Sequence, residues 1–324
     1  MRSFAFLNAL VLAFILTLML PTSSQEADGL KPFIVAGGTP FGYYFGLAGA
    51  VCAAVNDNKE SGYECLNLAN GNSANNLWDL DEGEIEFAFV QSDWLYRAAR
   101  GKGRFRSMRQ NDELRSLVSV PAEMLTILAH PNAGARVFTQ LSGRRVGYDR
   151  ANNYSYLLMQ DAVDAARIEV LDATPQIDAK LEIATQICDG RVDAMVAVER
   201  HPSGSLGALL GRCGLALVSV EQRIIKRVLR DRPDLMAYQI KADAYPTLET
   251  QIQTFGLMAV LVTRSNIKDE TVKALLVAMF EGEPRSNSFP RVPAPALEDI
   301  DRTENLVPLH PAAESFYRQK GWMH

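Results

Sequence analysis

The chain has 324 residues, enough for two domains of ordinary size, and its 48% hydrophobic content excludes wholesale disorder. Its formal net charge of −5 gives no electrostatic reason to expect a nucleic-acid partner. Two basic stretches, 97–109 and 222–232, are predicted to be a solvated connection and a helix face rather than anion sites. The composition therefore indicates a globular protein that binds no nucleic acid.

The first 24 residues have the order of a secretory signal peptide. Arg2 precedes an apolar stretch over residues 4–20, and Pro21 and small polar residues follow it. We predict cleavage after Ser24 and a periplasmic location for the mature chain. The alternative is an uncleaved anchor, because the stretch approaches the roughly 20 residues that span a bilayer.

Four cysteines, Cys52, Cys65, Cys188 and Cys213, favour disulfides over a metal site in an exported chain. Cys52 lies on a predicted helix and Cys65 on the strand to which it leads, while Cys188 and Cys213 both precede predicted strands. We therefore predict the pairs Cys52–Cys65 and Cys188–Cys213, with buried unpaired cysteines as the alternative. No Cys-x-x-Cys or His-Glu-x-x-His spacing occurs, so we expect neither a metal nor a cofactor.

The first part of the chain alternates strands and helices. An apolar run over 33–36, ended by Gly37 and Gly38, predicts a strand, and apolar residues at three-and-four spacing predict a helix over 43–57. Residues 63–69, 72–84 and 85–91 then predict a strand, a helix and a strand. This alternation is typical of a parallel sheet, which binds ligands at the carboxyl ends of its strands.

The rest of the chain repeats the pattern after a long strand. Residues 114–129 hold two apolar strands almost without a loop, as one strand passing between two domains would. A second alternating unit follows over 144–198, with further strands at 215–220 and 254–265. We expect residues 254–265 to pair with 124–129. Helices are predicted at 269–283 and 311–321, and the proline-rich residues 284–301 between them are predicted to be a loop.

Several different short motifs follow one another along nearly the whole mature chain. They are Gly37-Gly38-Thr39 with Tyr43-Tyr44, Ser73-Ala74-Asn75-Asn76-Leu77, Gln91-Ser92-Asp93, "LSGRRVGYD" at 141–149, "DGRVDAMVAV" at 189–198 and "LVPLHPAAESFYRQKG" at 306–321. In order and spacing they resemble the TAXI family, the solute-binding receptors of tripartite ATP-independent periplasmic (TRAP) transporters. The resemblance implies an α/β protein with the type II periplasmic-binding fold, in which crossing strands join two lobes around a ligand cleft.

The resemblance also implies how the chain is organised and what it does. A signal peptide over 1–24 would precede lobe one, formed by 28–120 and 263–324, and lobe two, formed by 121–262. We expect a monomer that closes on a small carboxylate-bearing solute, an amino acid or a dicarboxylic acid, and delivers it to a TRAP-type permease. Residues 147–156 depart from the family pattern. The alternatives are a sensory subunit of a signalling receptor and a periplasmic enzyme on the same fold.

Polar and aromatic side chains follow the predicted strands at the ligand-binding edge. Glycines at the end of the first strand and the helix start behind them favour an anion. Arg150 and Arg200 compete as partners of a ligand acid. The complete predicted ligand set is Gly38, Thr39, Tyr43, Tyr44, Ser73, Asn76, Gln91, Ser92, Asp93, Tyr148, Arg150, Asn152, Asn153, Tyr154 and Arg200.

For several of these residues a structural role is the alternative. The tyrosines at 43 and 44 could pack in the core, Asp93 could cap a helix, and either Asn72 or Asn76 could serve local structure. His201 lies two residues from Ser203, but the chain has no Gly-x-Ser-x-Gly motif. We therefore predict a binding protein without catalytic residues.

Overall fold

The computed structural model describes residues 29–108, 111–148, 153–174, 179–282, 295 and 297–323. The predicted signal peptide, Arg150, Asn152 and the side chain of Asn153 lie outside this description. The described strands are β1 (Lys31–Gly37), β2 (Tyr63–Ala69), β3 (Phe87–Gln91), β4 (Leu114–Ala129), β5 (Arg145–Tyr148), β6 (Leu171–Asp172), β7 (Ala194–Glu199), β8 (Ala216–Leu217), β9 (Leu235–Ile240) and β10 (Ile252–Arg264). The described α-helices are α1 (Tyr43–Asp57), α2 (Ser73–Glu82), α3 (Ser92–Ala99), α4 (Asn153–Ala166), α5 (Ala179–Cys188), α6 (Gly204–Cys213), α7 (Gln222–Asp231), α8 (Asp269–Glu281), α9 (Leu297–Glu304) and α10 (Pro311–Gln319).

Most of the predicted elements are confirmed, with differences at three places. The strands predicted at 168–172 and 215–220 shorten to the two-residue strands β6 and β8. The segment predicted to be a loop at 284–301 contains the start of α9, because its prolines end before Leu297 and no longer prevent a helix there. Among the described helices, none is both long and apolar enough to cross a membrane.

All the described strands belong to one sheet with the order β2-β1-β3-β10-β4-β7-β5-β6, in which β8 pairs with β4 and β9 with β10. β1 and β3 are parallel, and so are β5, β6 and β7. β4 and β10 run antiparallel to their neighbours. The two halves of the sheet have the same arrangement when each is followed from its outer edge to the centre. One half is β2-β1-β3-β10, and the other is β6-β5-β7-β4. The predicted α/β class, with two similar units and crossing strands, is confirmed.

The two central strands, β4 and β10, carry the chain between the units. β10 pairs with β9 over 252–257 and with β3 over 259–262. β4 pairs with β10 over 114–124 and with β7 over 124–129. The single long strand predicted at 114–129 is confirmed, and β10 does pair with it, but of the predicted stretch 124–129 only Met124 pairs with β10. β10 pairs with the first part of β4, because beyond Met124 the place beside β4 belongs to β7.

Both faces of the sheet are covered by helices. In β3, Phe87 and Phe89 pack in a core with α1, α8 and α10, whereas Ala88 and Val90 pack in a core with α2 and α3. Successive side chains of a strand point to opposite faces, so these are the two sides of one layer. A third core lies between β4, β5, β7, α4 and α7 around Leu158. The apolar faces are thus used for packing, and the strand ends are left for polar side chains.

Gly37, at the end of β1, allows α1 to approach the sheet closely. A Cβ atom on Gly37 would lie 2.5 Å from the Cα atom of Phe45 and 2.6 Å from the carbonyl oxygen of Tyr44. A Cβ atom on Gly38 would lie 3.5 Å from its nearest neighbour, Tyr44 Cβ. Neither glycine has a positive φ. The structure therefore requires a glycine at 37 for close packing and does not require one at 38.

This difference is testable with two alanine variants. We expect Gly37→Ala to lower the free energy of unfolding by about 1–3 kcal/mol or more, because backbone atoms must move apart. We expect Gly38→Ala to cost less than about 1 kcal/mol, because the added methyl group makes an ordinary contact. Urea denaturation followed by circular dichroism measures both. An equal cost in the two variants would contradict the close contact between β1 and α1.

Both predicted disulfides are present. Cys52 in α1 bonds to Cys65 in β2, with Cα atoms 4.8 Å apart, and Cys188 in α5 bonds to Cys213 in α6, with Cα atoms 5.1 Å apart. The described residues include no free cysteine. Each bridge links cysteines that are close in sequence, 13 residues apart for Cys52–Cys65 and 25 residues apart, across β7, for Cys188–Cys213.

Removing a bridge should weaken the fold. We expect each double Cys→Ala variant, Cys52 with Cys65 or Cys188 with Cys213, to lose about 2–4 kcal/mol of unfolding free energy, because the unfolded chain gains conformational freedom. Urea denaturation of the oxidised parent and of both variants measures the loss. Peptide mapping without reductant should recover these two linked pairs, and free thiols or crossed pairs would contradict the structure.

Candidate functional site

Two contacts join residues at the strand ends of the two units. The hydroxyl of Tyr154, in α4 after β5, donates to Oδ2 of Asp93, in α3 after β3, at 2.6 Å. The guanidinium carbon of Arg200, directly after β7, lies 3.9 Å from the ring centre of Tyr43 at the start of α1. The Tyr43 hydroxyl also donates to the carbonyl oxygen of Pro121 in β4, at 3.0 Å. Four predicted ligand residues thus meet beside the crossing of β4 and β10.

Asp93 is buried and held on several sides. Its side chain is 2% exposed, Gln91 donates from Nε2 to its Oδ1 at 2.9 Å, and Nη2 of Arg97 lies 3.7 Å from its Oδ2. Burial raises the pKa of Asp93, and the hydrogen bond from Tyr154 and the charge of Arg97 only partly oppose this. Asp93 also lies in the first turn of α3, where the helix dipole favours a negative charge. It is therefore a fixed acceptor between the two units.

Tyr44 brings a hydroxyl into the same place. This hydroxyl is buried and has no hydrogen-bond partner within the described part of the chain. The ring packs edge-on against Tyr43, with centres 5.9 Å apart. Burial raises the pKa of Tyr44 well above its usual value, and the nearby charges of Glu123 and Asp93 raise it further. The hydroxyl therefore has an unused hydrogen-bonding capacity.

Glu123, in β4, belongs to the site although the sequence analysis did not single it out. Its side chain is half-buried, and its carboxylate forms no ion pair or side-chain hydrogen bond to the described residues. Burial raises the pKa of Glu123 to about 7; the charges of Asp93 and Glu199 add to the effect, and Arg200 opposes it. One signal could have revealed it: Glu123 is the one acidic residue in the apolar strand predicted at 114–129.

The raised pKa of Glu123 predicts a pH-dependent stability. Between its ordinary pKa of 4.5 and about 7, the folded chain keeps a proton at Glu123 that the unfolded chain releases, so stability falls as pH rises through this window. We expect Glu123→Gln to raise the free energy of unfolding by about 1–3 kcal/mol near pH 8 and to change it little near pH 4. Urea denaturation at both pH values measures this. The exposed Glu249→Gln is the control, and a Glu123→Gln gain that does not depend on pH would contradict the assignment.

Two predicted ligand residues form hydrogen bonds within the fold. The Ser92 hydroxyl donates to the carbonyl oxygen of Asp234 at 2.7 Å and accepts from the backbone N–H of Met258 at 3.1 Å. The Nδ2 atom of Asn76 donates to the carbonyl oxygens of Gly37, at the end of β1, and of Phe89, in the middle of β3, both at 3.0 Å. Both side chains are buried and link strands to neighbouring segments. For them, contact with a ligand stays a prediction beside an evident structural role.

Other predicted residues lie at the same strand ends. Ser73 accepts a hydrogen bond from the backbone N–H of Gln91 at 3.0 Å, and Asn72, not Ser73, caps α2. Thr39 is exposed in the turn after β1, and the carbonyl oxygen of Gly38 accepts from the N–H of Gly71 at 3.3 Å. These residues border the site, and their contact with a ligand stays a prediction.

Tyr148 lies apart from this group. It is 2% exposed, belongs to the core of the second unit and packs its ring edge-on against Tyr156, with centres 5.3 Å apart. Burial and the charge of Asp172 raise the pKa of Tyr148 to about 12.

Of the predicted side chains that the structure describes, six lie together at the strand ends: Tyr43, Tyr44, Gln91, Asp93, Tyr154 and Arg200.

The histidine and serines after β7 do not form a nucleophile and base. His201 shares hydrogen bonds with the hydroxyls of Thr126 at 2.9 Å and Tyr245 at 2.7 Å, and burial lowers its pKa to about 4. The Ser203 hydroxyl instead caps α6 and lies 3.0 Å from the Ser205 hydroxyl. Among the described residues, no group of three or more His, Cys, Asp or Glu side chains could hold a metal ion.

Comparison with known proteins identifies the family. A model described as the NMT1-like family matches residues 35–321. The chain therefore belongs to this family. Within it, membership of the TAXI group stays a prediction.

Solved structures with a similar fold are periplasmic and transporter-associated binding proteins. A TctC solute binding protein from Polaromonas shares 14% identity, with 78% of this chain and 83% of that chain covered and a TM-score of 0.49. The periplasmic aliphatic sulphonate binding protein SsuA from Escherichia coli shares 14%, with 90% and 88% covered and a TM-score of 0.42. The second substrate binding domain of a putative amino acid ABC transporter from Streptococcus pneumoniae shares 9%, with 85% and 97% covered and a TM-score of 0.45. The family assignment rests on the sequence match and not on these weak likenesses.

Proposed function

We propose that the chain is a periplasmic receptor that captures a small solute between its two units and delivers it to a TRAP-type membrane transporter. The observation that carries the proposal is the meeting of Asp93 with Tyr154 and of Tyr43 with Arg200, at the strand ends of opposite units. In open α/β sheets, ligands bind at this edge. Lobe one would comprise 28–120 and 263–324, and lobe two 121–262.

The crossing strands supply a place for the two lobes to rotate. β10 changes partner between Leu257 and Ala259, a few residues before the proposed second boundary, and its register with β4 shifts there. Close by, a Cβ atom on Gly256 would lie 2.1 Å from the carbonyl oxygen of Glu123, so the strands cross at close range. A solute that touches both walls then favours the closed arrangement over an open one.

A carboxylate on the solute would have two partners in this site. Arg200 supplies a guanidinium group beside Tyr43. The N-terminus of α1 has no side-chain cap and no acidic residue in its first turn, so its N–H groups favour an anion. These features support an amino acid or a dicarboxylic acid as the solute.

The proposal is tested on the full chain exported by its own N-terminal segment and purified without denaturation. Mass spectrometry of released small molecules should recover a solute at one molecule per chain. Small-angle scattering should then show a smaller radius of gyration when this solute is added back to the emptied protein. A chain that carries no solute and keeps its radius throughout would contradict the proposal. Docking on a receptor kinase rather than a permease would favour a sensory role.

The contact between the lobes gives a sharper prediction. Tyr154→Phe removes the hydroxyl that reaches Asp93, and we expect it to weaken solute binding by about 1–2 kcal/mol because the closed form loses this bond. Lys102→Ser with Arg104→Ser is the control, since these exposed cations lie over Tyr96 and Trp94 on the outer side of α3.

Calorimetric titration with the recovered solute compares the two proteins. The control should stay within about twofold of the parent, because exposed charges away from the site contribute little. Equal losses in Tyr154→Phe and in the control, or no loss in Tyr154→Phe, would place the binding site elsewhere.

A further inference from the structure

We infer that the captured solute carries a cationic nitrogen, which Glu123 and Asp93 bind beside the Tyr44 hydroxyl, so that the site selects an amino acid or another amine over a dicarboxylate. This inference rests on the proposed receptor function and names the substrate class of the same site.

The charges around Glu123 favour a cation. The described groups that act on it are Asp93 in α3, Glu199 at the end of β7 and Arg200 directly after it. Among these groups, the charges of Asp93 and Glu199 raise the pKa of Glu123, and the charge of Arg200 lowers it. Arg97 reaches Asp93 from outside the site, and its side chain is 47% exposed. A dicarboxylate would add two negative charges to this group, whereas an ammonium group would reduce the repulsion among the carboxylates.

Glu123 is the carboxylate with a free binding capacity. Asp93 already accepts hydrogen bonds from Gln91 and Tyr154. The carboxylate of Glu123 has no such partner in the described part of the chain, although the side chain is half-buried. A charged group removed from water without a partner is costly, and the pKa of about 7 reflects that cost. A cation at Glu123 would supply the missing partner.

The Tyr44 hydroxyl is an independent observation that points to a polar group from outside the chain. It is buried without a hydrogen-bond partner, and the charges of both Glu123 and Asp93 act on it. An ammonium group has three N–H donors, which Glu123, Asp93 and the Tyr44 oxygen together can accept. The neighbouring ring of Tyr43 already holds a cation on its face, the guanidinium of Arg200 at 3.9 Å. Arg200 would bind the carboxylate of a zwitterionic solute.

The sign of the pH dependence separates a cation from an anion. A cation binds best to ionised Glu123, so its affinity should rise with pH up to the pKa of about 7 and then level off. A solute with negative charges alone would favour protonated Glu123, and its affinity should fall as pH rises through the same range. His201 titrates near its pKa of about 4, below this window.

The test uses two pairs of probes with matched carbon skeletons, L-glutamate with glutarate and L-leucine with 4-methylpentanoate. Calorimetric titration of the emptied full chain should show at least about tenfold tighter binding of the amine-bearing member of a pair, equivalent to about 1.4 kcal/mol. The solute recovered from native protein should contain a basic nitrogen. Glu123→Gln should weaken binding of the better amine probe at least about tenfold and remove the pH dependence below about pH 7. The exposed Glu249→Gln should change neither.

Each other result counts against the inference. Tighter binding of the deaminated probes, a recovered solute without a basic nitrogen, or an affinity that falls as pH rises would overturn it and leave the receptor function standing. Unchanged binding in a folded Glu123→Gln variant, as judged by its circular dichroism, would also overturn it. If no probe binds and no solute is recovered, the proposed receptor function fails as well. Failure of the receptor function can therefore be told apart from failure of the amine selectivity alone.

Discussion

The crossing of β4 and β10 is the constraint on which the rest of the structure depends. Backbone pairing joins the two strands over 114–124 and 256–264, and each strand then joins a different unit. Buried backbone groups must be paired, so these strands cannot slide or separate without leaving donors and acceptors unsatisfied. The crossing therefore fixes the distance between the units, and it carries Glu123 to the place where the strand ends of both units meet.

The site holds its polar groups at some cost to the fold. Burial raises the pKa values of Asp93, Glu123 and Tyr44, which means that the surroundings disfavour their charged forms. A sequence selected for stability alone would place apolar residues in the middle of β4. Local departures of this kind are expected at functional sites, and packing elsewhere offsets them. Here the apolar cores on the two faces of the sheet and one disulfide in each unit provide the compensation.

The sequence predicted local features of the fold better than the partners of polar side chains. Periodicity revealed the alternating units and the single strand at 114–129, and the disulfides could be predicted because each links cysteines that are close in sequence. The stretch of β4 that pairs with β10 could not, since strand pairing joins residues far apart in the chain. In the site, Asp93 and Tyr154 follow strands and were expected to converge. Ser92 has the same position in the pattern, yet it bonds to distant backbone atoms, which no local spacing encodes.

In the proposed receptor, the two direct contacts between the units are too weak to hold a closed form by themselves. The stacking of exposed Arg200 on Tyr43 is worth about 0.5–1 kcal/mol in water, and the hydrogen bond from Tyr154 to Asp93 contributes about 0.5–1.5 kcal/mol net. Their sum of about 1–2.5 kcal/mol is less than the roughly 5.5 kcal/mol needed to move an equilibrium from 1:99 to 99:1. A partner for the unpaired carboxylate of Glu123 and the unpaired hydroxyl of Tyr44 would supply the difference. The charge of Asp93 acts on both groups, so in the proposed receptor their partner would add its contacts to those that Asp93 already makes across the site.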